Sequence, residues 1–217
     1  MTLDAQLCDP GFRAAYLRDL VLTRYITRSD GCCAMGAVSL HAGGSRNTDV
    51  PSGVSVVLGT LVRTLNDHAE DGPRQDLLPF LLRLVGSADQ DADHAREGKL
   101  LATIESIVLR AMWHRLPRPL VSRIRRARTR RQSANVWRAA ARHLLHPVGM
   151  ALHAEAAMAL AVAAREEEPI LAVLLSCQAL GIELRCHPDA VWRPALALLD
   201  ALITLGASRR KPEALAA

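Results

Sequence analysis

Val54, Val57, Leu58, Leu61, Val62 and Leu65 recur three and four positions apart, the spacing that lines one stripe of an amphipathic helix. Arg63 and Asp67 fall off that stripe and predict its wet face. A second such set, Leu100, Leu101, Ile104, Ile107, Val108, Ala111 and Met112, predicts another long helix, ended by Leu116-Pro117-Arg118-Pro119. Between them, Glu70-Asp71-Gly72-Pro73 breaks the chain. A helix carrying Leu77, Leu78, Phe80, Leu81, Leu84 and Val85 then runs to Gly86. Pro79 inside it predicts a kink or an early start. The acidic stretch Ala88 to Asp93 reads as a loop.

Upstream, Asp9-Pro10 makes a helix start with Asp as N-cap and Pro in the first turn. That helix is predicted from Phe12 through Ile26, ending near Ser29-Asp30-Gly31. A short second helix follows from Cys32 to Ala42, stopped by Gly43-Gly44. Ser45 to Gly53 is a turn-rich loop. In the second half, Pro147, Pro169 and Pro188 each open a helix, giving 148–166, 170–180 and 189–205. The middle one is apolar nearly all round, hence central and buried. Alternating β-branched runs and Asn-Gly hairpin signals are weak. The predicted fold is all-α, with two helical subdomains joined by a basic arginine-rich segment. The N-terminal subdomain takes 1–119, the basic linker or exposed helix 120–132, the Ala/Leu-rich C-terminal subdomain 133–206, and the flexible tail 207–217.

Composition changes this picture in one respect, the placement of charge. The chain has 217 residues, half of them hydrophobic, with a formal net charge of +5. This excludes wholesale disorder and fibrous repeats. Arginine supplies 25 of the 27 basic residues, and eleven of these lie between Glu105 and Glu155, where no carboxylate occurs. The remainder has 16 basic against 22 acidic residues, so a cationic strap crosses an acidic molecule. At about 100° per residue, Arg123, Arg125, Arg126, Arg128, Arg130 and Arg131 project all round a helix axis and leave no apolar face. Such a run attracts nucleic acid or another polyanion with salt-sensitive affinity, with Trp113 and Trp137 at its flanks. Alternatively it is a solvated linker or pairs with the chain's own carboxylates. No helix-turn-helix pattern accompanies it.

The N-terminus carries Asp4, Asp9 and Arg13 without an apolar run, so no signal peptide is expected. The apolar stretch Pro147 to Ala164 is interrupted by His153 and Glu155 and falls short of the ~20 residues of a membrane span. A cytoplasmic protein without a membrane span is the expectation. Five cysteines, with Cys32 and Cys33 adjacent and no CxxC pair, point to reduced thiols. Cys32, Cys33 and His41 lack the second ligand pair that zinc wants. His143, His146, His153 and Glu155 form neither HExxH nor the Glu-x-x-His of a di-iron bundle. No Gly-rich phosphate cradle is present, and no cofactor or metal is expected.

One segment has a recognisable texture. Cys33-Ala34-Met35-Gly36, Ala42-Gly43, Thr48-Asp49-x-Pro51, Leu61-x-Arg63-x-Leu65-Asn66-Asp67, Arg74 and Leu77 to Gly86 together resemble a module of uncharacterised bacterial helical proteins. The likeness spans about residues 32–86. The sequence departs from it at Gly36, where the module has glutamate, and at Gly53, where cysteine is common. The resemblance implies helix boundaries and brings no known activity.

Within that segment the polar candidates are Asp49, Asn66 and His41. As an enzyme site, Asp49 would be the acid/base and Asn66 a ligand-orienting amide beside His41 or His68. As structure, Asp49 closes a turn before Pro51 and Asn66 ties a helix end to a neighbouring loop. The residues favour structure, and Ser39 and Ser55 lack a nucleophile-elbow setting. The sequence therefore points to a non-catalytic binding or regulatory protein, associating electrostatically with nucleic acid. A protein–protein scaffold, self-associating or docking a helical partner through its Ala/Leu-rich half, is the alternative. A small enzyme around Asp49, Asn66 and His41 is the third reading.

Overall fold

The computed structural model describes residues 6–25, 31–45, 51–112, 122, 126, 157, 158, 160–162, 164, 165 and 167–207. Asp9 caps the first helix, α1 (Pro10–Arg18), its carboxylate accepting from the Phe12 amide at 2.7 Å. The helix stops at Arg18, well before the predicted Ile26. Only eight residues separate Leu22 from Gly31, yet Val21–Leu22 (β1) and Gly31–Cys32 (β2) pair as short parallel strands. Tertiary pairing at Leu22, which is fully buried, overrides the local helical pattern.

Helix α2 (Ala34–His41) buries all seven residues from Ala34 to Leu40. None of those seven is charged, so the helix tolerates being surrounded, and it packs against α1, α3 (Val56–His68) and α5 (Leu78–Leu84). The stripe on α3 is buried as its periodicity predicts, with Leu58, Leu61, Val62 and Leu65 closed to solvent. Ser55 caps α3: its hydroxyl accepts from the Leu58 amide at 3.2 Å and donates to Asp93 at 2.5 Å. Gly53 and Gly86 stand at φ +83° and +69°, a left-handed region in which a side chain is strained. Glycine is thus what the backbone asks for at position 53.

The helix predicted from the Glu70–Pro73 break to Gly86 is three pieces. Asp71–Arg74 forms a single turn (α4), Gln75–Leu77 tightens to a 3-10 turn, and α5 begins with Pro79 in its first turn. Pro79 therefore marks a start, where its missing N–H costs nothing. Conversely, the acidic loop at 88–93 is partly helical. Helix α6 runs Gln90–Met112 with Asp91 and Asp93 in its first turn, where carboxylates suit the helix dipole. Two proline-initiated helices follow, α7 (Pro169–Cys186) and α8 (Pro188–Ala207). Both outrun their predicted ends. By length and composition each is apolar enough to cross a bilayer, and about half of each is buried within the chain. Most of the predicted helix 148–166 lies outside the described residues.

The protein is all-α apart from the two-residue strands. It divides into two compact units. One comprises Met1–His94 with Leu199–Ala217, the other Ala95–Leu198. The division falls inside α6 and α8. The basic segment 120–132, read as the linker, lies outside the described residues except for Ser122 and Arg126.

Candidate functional site

In the first unit, three short elements meet at the start of α2: β1, β2 and the α3–α4 connection. Strands of two residues and a helix of four cannot satisfy their own backbone groups. Side chains supply the partners. Asn66, buried in the last turns of α3, accepts from the Ala34 amide at 3.1 Å through Oδ1. Its Nδ2 donates to the Arg24 carbonyl and to Asp67 Oδ1, both at 3.2 Å. Arg74, also buried, donates from Nε to the Asn66 carbonyl at 2.8 Å, from Nη2 to the Ala69 carbonyl at 2.6 Å, and from Nη1 to Asp71 at 2.5 Å. The Gln75 amide grips β1 from the side, accepting from Leu22 N–H and donating to Leu22 O, both at 2.9 Å.

Sulfur sits at the middle of this corner. Cys33 is the N-cap of α2, and its Sγ accepts from the Gly36 amide at 3.4 Å. Cys32 beside it is wholly buried, whereas Cys33 is partly exposed. The Cys33 thiol is held down at about 6, chiefly by a hydrogen bond from Cys32 and then by the Gly36 and Met35 amides. Burial and the nearby Asp67 carboxylate push the other way and lose. All five cysteines are reduced thiols.

The predicted trio is not assembled among the described residues. Asn66 reaches the first residue of α2, whereas His41 occupies its last turn, about 10 Å along the axis. Burial lowers the His41 pKa. Asp49 and Thr48 lie outside the described residues. Asn66 takes one N–H on Oδ1 and donates twice from Nδ2, so it ties the start of α2 to the Arg24 loop. Of the cationic strap, Arg126 is exposed and donates Nε to the Ser122 carbonyl at 3.1 Å. Arg123, Arg125, Arg128, Arg130 and Arg131 lie outside the described residues, as do Trp113 and Trp137. His143, His146, His153 and Glu155 lie outside them too. Among the described residues, no group of three or more His, Cys, Asp or Glu side chains could hold a metal ion.

The reading of the sequence missed Gln75, and it named Arg74 without giving it a role. Arg74 and Gln75 sit next to a Gly-Pro break, where short elements need borrowed hydrogen-bond partners; that was the available signal. Comparison with protein-family models, curated proteins and solved structures yields no match.

Proposed function

We propose that the chain is a non-catalytic, cytoplasmic binding protein that associates with nucleic acid through Arg123, Arg125, Arg126, Arg128, Arg130 and Arg131. The segregation of charge carries this reading: eleven arginines without one intervening carboxylate, in a chain otherwise richer in acid than base. The exposed Arg126 guanidinium supports it, since its Nε bonds a carbonyl one turn back. Without an apolar face, the run gains nothing from burial in its own fold and much from releasing counterions off a phosphate backbone.

Fluorescence anisotropy with a mixed-sequence DNA duplex tests this. If all six arginines contact phosphates, affinity falls roughly a thousandfold between 50 and 200 mM salt. Replacing the six with glutamine abolishes binding at low salt. Tight binding insensitive to salt, or retained by the six-glutamine variant, overturns the reading.

A second reading, self-association, is favoured by one observation. Ile170, Leu171 and Leu174 are all substantially exposed at the start of α7, and Leu174, four residues from Ile170 and three from Leu171, shares a face with both. Light scattering distinguishes it: an oligomer that dissociates in Leu171→Glu/Leu174→Glu supports this reading, and a monomer at high concentration rejects it.

A further inference from the structure

We propose that the exposed face of α7 pairs with the same face of a second copy of this chain, the two helices running antiparallel about a two-fold axis. The inference rests on the self-association reading and gives it a geometry. From its first turn to its last, α7 exposes Leu171, Leu174, Gln178 and Arg185, a spacing of three, four and seven residues that keeps them on one stripe of the helix. Glu167 and Glu168, both exposed, stand just before that stripe. The face is therefore acidic at its start, apolar in its first turns and basic at its end. Glu168 occupies the N-cap position, yet its carboxylate takes no amide of the helix. Among the described residues, no ion pair involves Glu167, Glu168 or Arg185.

A face whose charge runs from negative to positive along one helix complements itself only in reverse. In a parallel pair, Glu168 would meet Glu168 and Arg185 would meet Arg185. Turned antiparallel, Glu167 and Glu168 of each copy face Arg185 of the other, and the same contact is made twice, as an isologous interface requires. That register lays Leu171 and Leu174 of each helix on the turn that carries Gln178 of the other, and it also opposes the two helix dipoles favourably. The contributions divide. Ile170, Leu171 and Leu174 are 56%, 39% and 49% exposed, and covering them drives association. Exposed ion pairs add little affinity but fix orientation. A lipid surface suits the same leucines less well, because the glutamates beside them are repelled by anionic headgroups.

Light scattering on the full chain, combined with charge reversal, tests the pairing. The wild type should be a dimer at high concentration. Glu167→Arg/Glu168→Arg and Arg185→Glu should each weaken that dimer roughly ten- to hundredfold. All three changes in one chain should restore it, because the reversed charges still match in an antiparallel pair and still clash in a parallel one. Mild oxidation of Glu168→Cys should join the new thiol to the native Cys186 of the other copy, which is exposed beside Arg185. The two Cys186 thiols of the wild-type dimer lie more than about 20 Å apart and should not join. A dimer indifferent to the reversals, a triple variant as weak as its parents, no Glu168→Cys link, or a Cys186–Cys186 disulfide would each overturn the antiparallel pairing while self-association stands. A strict wild-type monomer overturns both. If a reversal variant loses its helical circular dichroism, the oxidation experiment decides.

Discussion

The corner at the start of α2 and the long helix α7 are held by opposite means. In the corner, Asn66, Arg74 and Gln75 hold the backbone at Leu22, Arg24, Ala34, Asn66 and Ala69 through aimed hydrogen bonds. Helix α7 buries ten residues, and the Ser176 hydroxyl among them bonds locally, Oγ to the Ala172 carbonyl at 2.7 Å. The reason is the length of the elements. Eighteen residues of helix satisfy their own backbone and need only a place to put apolar surface. Two-residue strands and a one-turn helix leave backbone groups unmet, and each unmet group costs about 1–3 kcal/mol when buried.

Conservative substitutions should therefore be felt unequally, as urea denaturation midpoints would register. Arg74→Lys keeps charge and length but loses the planar fork that serves two carbonyls and Asp71 at once. It should cost about 2–4 kcal/mol. Leu180→Met, in the fully buried stretch of α7, conserves volume and should cost less than about 1.5 kcal/mol. Equal losses would break the contrast between aimed and unaimed cohesion.

A smaller effect sharpens it through pH. In the unfolded chain Cys33 takes up its proton as pH falls below about 8.5, whereas in the folded chain it waits until about 6. Across that window the unfolded state binds more protons, so stability should decline from pH 9 to pH 6. Cys33→Ser, which keeps an N-cap acceptor, should flatten this limb. The half-buried His41, its pKa lowered by that burial, acts in the same sense further down: stability falls as pH drops through 6.5 and below. A stability curve flat from pH 9 to 6 in the unmodified chain would remove the thiolate from the corner's cohesion.

The same division explains what could be read from residues alone. Periodicity located α3, and the capping residue Asp9 begins α1 for a reason visible in sequence. Helix α7 was legible as a buried helix because its composition is its mechanism, although its first turns expose Ile170, Leu171 and Leu174. The corner was legible only in part. Asn66 could be seen as a tie, but its partners at Ala34 and Arg24 lie 32 and 42 positions away, beyond any local pattern. The end of α1 at Arg18 was missed because strand pairing at Leu22 depends on Gln75, 53 positions distant. The low-pH character of Cys33 needed both the N-cap geometry and the direction of the Cys32 thiol, and an adjacent pair of letters carries neither.

One consequence follows from the make-up of the first unit, which joins Met1–His94 to residues beyond Leu198. Its Arg83–Asp200 ion pair, 2.7 Å long, closes a span of 117 positions. As the nascent polypeptide leaves the ribosome, everything from Ala95 to Leu198 must emerge before the first unit can be completed. The Arg83–Asp200 pair therefore forms only after α8 has been made. This order of events makes the stretch from Leu199 to Ala207 a late clasp, and makes truncation there a lesion felt near the opposite end of the chain.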